Sequence, residues 1–254
     1  MLKLHLSFFI KLSAFALFFA RAYELYFMKS PLQSGLEALN LELNPWLYQV
    51  LGILLFVSSV FSLFLTHKNF NTFWGFVFPA VLLKIGIIVF LLWQQKFYWP
   101  KMMELAWQIC IPFAFVWVYR KFRSFPQTRV ILKIIFCTSL LPHALDTFQL
   151  FPDKSHFIYQ SYRLLNIDRL MLGFPNQILA AFHLAMCIFV FFESTSKAFL
   201  SYAVVLGVLI AFARLATGYN QDFVILSTKH FVFDCFLHLP LALIPLSVLS
   251  LRMK

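Results

Sequence analysis

WLYQVLGILLFVSSVFSLFLT, from Trp46 to Thr66, runs without a charged side chain for about 20 residues, the length a helix with a rise of about 1.5 Å per residue needs to cross a hydrocarbon core. Lipid offers no water to bond a bare peptide group, so such a stretch must fold as a helix. Segments of the same kind recur at 4–28, 72–95, 102–119, 130–151, 175–193, 198–216 and 229–251. The chain therefore reads as all-α, a polytopic transmembrane helical bundle of about seven or eight helices. It shows no repeat, low-complexity tract or linker, so residues 1–254 form a single domain. The sequence leaves open whether the first and last spans cross fully.

Composition agrees with the spans. Hydrophobic residues make up 61% of the 254 residues and charged ones only 12%, against about a quarter in soluble proteins. The mean hydropathy is +0.81 and there are 34 phenylalanines, which lipid tolerates and a wetted surface does not. The net charge of +11 is spread over short loops, with no basic domain to grip nucleic acid, and so reads as topology. The four cysteines, Cys110, Cys137, Cys187 and Cys235, fall singly in apolar runs and lack the spacing of a zinc site or disulfide framework, so they read as small buried residues.

Lys11 and Arg21 interrupt the first apolar segment, and no small-residue cleavage site follows it, so the segment reads as a retained helix and not a signal peptide. Pro45 and Pro100 precede helix starts and Pro126 falls in a loop, whereas Pro112, Pro142, Pro240 and Pro245 lie inside spans and predict kinks. Arg120, Lys121, Arg123, Arg129 and Lys133 cluster between the fourth and fifth spans and place that loop in the cytoplasm. With eight spans both termini are then cytoplasmic, and the setting is a bacterial inner membrane. The longest outward segment, about 151–174, carries Asp153, His156, Arg163, Asp168 and Arg169.

Orientation assigns a depth to each ionisable residue within a span. Arg21 and Glu24, His143 and Asp146, Arg214, and the run Lys229, His230, Asp234 and His238 all fall toward the outer side. His143, Asp146, Arg214, His230 and Asp234 form the candidate polar site, because a charge at a helix centre costs about 2.5–3.5 kcal/mol and is seldom kept without use. The plainer reading is ion pairing, Arg214 with Asp234 or Asp146 and Arg21 with Glu24, as glue between helices. His230, Asp234 and His238, one helical turn apart, are the candidate metal ligands, and proton transfer by a His–Asp pair is equally allowed. Lys84 and His183 lie deeper. Lys84 is expected to face the bundle or snorkel, and His183 to be a hydrogen-bonding core residue.

Arg21-Ala-Tyr-Glu-Leu-Tyr-Phe-Met-Lys-Ser-Pro31, at the end of the first span, resembles the start of DoxX-like membrane proteins over about 30 residues. The resemblance implies a membrane protein either linked to quinone-coupled sulfur oxidation or, like other members, without an assigned role, although DoxX-like units have about four spans. Arg214 and His230-x-x-x-Asp234 are similar to the last motif of membrane phosphatidic acid phosphatases. However, Phe174-Pro175-Asn176-Gln177 stands where that family needs Ser-Gly-His, which argues against the phosphatase. The expected function is a non-enzymatic accessory or carrier protein with membrane lipids around it and a lipidic or quinone ligand or a membrane-protein partner. The alternative is an intramembrane enzyme acting on a lipid or quinone at the outer leaflet, with or without a metal. No sequence feature names a cofactor.

Overall fold

In the computed structural model the described residues are 2–41, 43–66, 69–94, 99–120, 125–147, 173–218 and 224–251. They form helices α1 (Leu2–Phe27), α2 (Pro31–Ala38), α3 (Pro45–Phe64), α4 (Phe70–Gln94), α5 (Trp99–Arg120) and α6 (Phe125–Thr147). The second half contributes α7 (Gly173–Phe189), α8 (Glu193–Gly218), α9 (Val224–His238) and α10 (Pro240–Ser250). No strand occurs among the described residues.

Each segment expected to be a span overlaps helix, the last of them two helices, and residues 148–151 of the fifth lie outside the described residues. Four stretches among the described residues are long and apolar enough to cross a membrane, Pro45–Phe64, Val77–Gln94, Glu193–Ala213 and Phe231–Ser250, and they mark an integral membrane protein. Their outer faces carry exposed Ile53, Phe56 and Val57 on α3, Leu82 and Val89 on α4, and Val205 and Leu209 on α8. Side chains so large and so contiguous are covered by lipid in a protein of this kind.

Helix α1 is the hub, packing against α3, α4, α5, α9 and α10. Its Ile10, Ala14, Leu17, Phe18 and Ala20 are fully buried. The two spans that the sequence leaves open, first and last, therefore occupy the interior of the bundle. Small residues let the helices close on α1 and on one another, as expected where no hydrophobic drive distinguishes a neighbour from lipid. A Cβ at Gly52 of α3 would lie 3.1 Å from the Ala22 carbonyl oxygen of α1, and one at Gly207 of α8 would lie 2.5 Å from the Ala242 nitrogen of α10. Below Gly52 the buried face of α3 continues through Leu55, Ser59 and Ser62. The hydroxyls of Ser59 and Ser62 donate to carbonyls of their own helix, Phe56 and Ser59, each at 2.6 Å, so the small polar residues add no unmet donor to the core.

Proline sets several boundaries. Pro45 and Pro31 open α3 and α2 at the first helical turn, capped by Asn44 and Ser30. Pro126 lies in the first turn of α6 and not in a loop, a position that tolerates a missing N–H. The basic loop contracts as a result, and Arg129 and Lys133 belong to α6. Pro112, Pro142 and Pro245 lie within helices, as does Pro79. Pro240 splits the last span at Leu239, because it has no N–H for the Phe236 carbonyl. The short α2 was not foreseen. It ends at Asn40 in the left-handed region (φ 57°), with Asn40 N–H donating to Glu37 O and Leu41 N–H to Leu36 O, both at 2.9 Å.

Candidate buried polar site

Positions 17, 21 and 24 of α1 share one helical face. That face meets α4 and α5, and both long side chains on it are buried, Arg21 and Glu24 each 5% exposed. Arg21 Nη1 donates to Glu24 Oε2 at 2.5 Å, a pair three residues apart on one helix. Arg21 Nη2 donates to Gln108 Oε1 of α5 at 3.2 Å. Lys84 of α4 is completely buried, and its Nζ donates to the Leu17 carbonyl at 3.4 Å. That carbonyl also serves the α1 backbone one turn before Arg21, so the lysine reaches only a shared acceptor. Lys84 lies within electrostatic range of both Arg21 and Glu24.

The cluster has more donors than acceptors. Arg21 Nε has no hydrogen-bond partner, and Lys84 Nζ reaches only the Leu17 carbonyl. Leaving a buried donor unsatisfied costs about 1–3 kcal/mol. The arrangement can therefore attract an acceptor: a carboxylate, a phosphate or a carbonyl.

The opposite face of α1 lines a cleft against α3 of about 400 Å³. Ala22 and Gly52 lie among aromatic walls from Phe19, Tyr23, Tyr26 and Phe56. The rings form a continuous file, Phe15–Phe19 at 5.6 Å, Phe19–Tyr23 at 6.4 Å and Tyr23–Phe27 at 4.9 Å between centroids.

The residues expected to form the site are distributed differently. Arg21 and Glu24 do pair, and Lys84 does face the bundle. His183 of α7 is buried beside Tyr202, with ring centres 6.3 Å apart. The side chains of His143, Asp146, Arg214 and His230 lie outside the described residues, although α6, α8 and α9 carry their positions. Asp234 is half-buried on α9, and its carbonyl accepts from Nδ1 of His238 at 2.8 Å, which commits that nitrogen to the backbone. Among the described residues no group of three or more His, Cys, Asp or Glu side chains could hold a metal ion. Gln108 was not singled out from the sequence. Its only signal there is an amide in the otherwise apolar run that follows Trp107. The outward segment near 152–174 lies almost wholly outside the described residues. No protein-family model, no curated protein and no solved structure matches this chain.

Proposed function

We propose that the protein is a non-enzymatic carrier or accessory protein of the bacterial inner membrane. It holds a small or lipidic molecule whose head offers hydrogen-bond acceptors, a carboxylate, phosphate or quinone carbonyl. The observation that carries this reading is the buried donor excess at Arg21, Lys84 and Gln108, with Arg21 Nε unspent. A lysine buried on every side destabilises a bundle unless something repays it. Eight crossings with both termini cytoplasmic complete the proposal, and His143, Asp146, Arg214, His230 and Asp234 then lie toward the outer side, as a second polar level. The enzyme alternative, on a lipid or quinone, would draw on that outer level.

Native mass spectrometry tests the binding. Wild type and Lys84→Met are purified in mild detergent and offered a bacterial polar lipid extract or a short-chain quinone. Hydrogen bonds to charged groups contribute about 1.5–3 kcal/mol, so the substitution should lower occupancy about tenfold or more. Equal occupancy in the two proteins, or none in wild type, refutes the assignment.

A further inference from the structure

Helices α6 and α7 pack together, and each brings one cysteine to their contact. Cys137 Sγ lies 3.4 Å from the Cys187 carbonyl oxygen, and the two thiols are within hydrogen-bonding reach of each other. The carbonyl is open to the thiol because α7 is ending. Phe191 N–H, which would bond Cys187 O in a continuing helix, donates to Ile188 O instead, at 3.2 Å. Both cysteines are only partly buried, so a small oxidant can reach them.

We propose that Cys137 and Cys187 are a reversible redox pair whose disulfide staples α6 to the end of α7. The oxidant is a peroxide. One of the two sulfurs, as its thiolate, attacks one peroxide oxygen, the O–O bond breaks and the leaving oxygen departs as water, giving a sulfenic acid. The other sulfur then attacks the first, the S–O bond breaks, and a second water leaves as the S–S bond forms. Two thiols and one hydrogen peroxide thus yield one disulfide and two waters. Bringing the sulfurs to about 2.05 Å needs side-chain rotation at a contact the helices already make.

The full-length protein in native membranes is treated with hydrogen peroxide, quenched, denatured and labelled with maleimide-polyethylene glycol, which counts free thiols on a gel. Untreated wild type carries four thiols, so treatment should leave two and dithiothreitol should restore four. Cys137→Ser and Cys187→Ser should each form no internal disulfide under the same treatment, and any label lost from the remaining partner should be a sulfenic acid that dimedone traps. Digestion of oxidised wild type should yield a linked peptide joining positions 137 and 187, a readout that needs no variant. Four labels after treatment, a loss that dithiothreitol does not reverse, a disulfide-linked dimer, or a linked peptide from Cys110 or Cys235 would each overturn the proposal.

Discussion

Lys84 and Glu24 stand in the same cluster, yet their removal should have opposite effects. Lys84→Met takes away a fully buried amine that no carboxylate contacts directly and puts an apolar chain of similar length in its place. Such replacements are neutral or stabilising by about 1–4 kcal/mol. Glu24→Gln keeps the shape but leaves Arg21 and Lys84 facing each other without an anion, which should cost about 3–5 kcal/mol. Thermal unfolding in detergent should therefore rank Lys84→Met at or above wild type and Glu24→Gln well below it. If both variants lose stability equally, the cluster is structural and the binding proposal loses its physical basis. The Arg21–Glu24 pair was legible in the sequence, because residues three apart on a helix face each other whatever the fold. The approach of Lys84 to Leu17, 67 residues away, was not, since it depends on how α1 and α4 cross. The Cys137–Cys187 contact was equally illegible, for two thiols 50 residues apart leave no spacing to read.

Among the helices, glycine separates contact from propensity. At Gly207 an added methyl would strike the backbone of α10, with the Leu241 carbonyl carbon at 2.6 Å and Ala242 nitrogen at 2.5 Å. Backbone cannot rotate away, so Gly207→Ala should part α8 from α10 and cost about 1–3 kcal/mol. Gly86 of α4 has nothing within 4 Å of its would-be Cβ, so Gly86→Ala should be neutral or stabilise by up to about 1 kcal/mol through helix propensity. Chemical unfolding of the two variants reads the difference, and equal effects would mean that the α8–α10 approach is looser than the structure has it. The helices themselves were legible, because hydropathy over a window of one bilayer thickness is insensitive to tertiary contacts. What that window could not detect was short or broken structure. Helix α2 has only eight residues, and the division of the last span into α9 and α10 was visible only as Pro240.

For the whole molecule, one ion pair bears on the chain's course. Arg129 Nη1 meets Glu193 Oε1 at 3.1 Å, which sets the N-terminal ends of α6 and α8 at one level. A chain that passes out along α6 and back along α7 returns to that level for α8, as alternate crossings require. Lys133 Nζ lies 5.8 Å from the Phe191 ring centre, near the same end. Single-cysteine variants in intact cells test the proposed sidedness. A cysteine at position 122 should resist an impermeant maleimide, and one at position 160 should be labelled. Labelling at 122 would reverse the orientation and remove the ground for grouping the outer ionisable residues at one depth. The innermost position of α1 had a trace in the sequence after all. A first span carrying Lys11, Arg21 and Glu24 is a poor candidate for lipid exposure and a good one for shelter behind other helices.

Chain order gives that central position a cost in time. Helix α1 leaves the ribosome before α4 and α5, at roughly 5–20 residues per second, so for several seconds Arg21 has neither Gln108 nor the surrounding helices to shield it. During that wait its partner is Glu24, one turn away and synthesised almost together with it. A bond that looks like one contact among several in the finished bundle is thus the one that neutralises Arg21 before α4 and α5 have been made. Lys84 emerges later, when α1 is already in place to receive it.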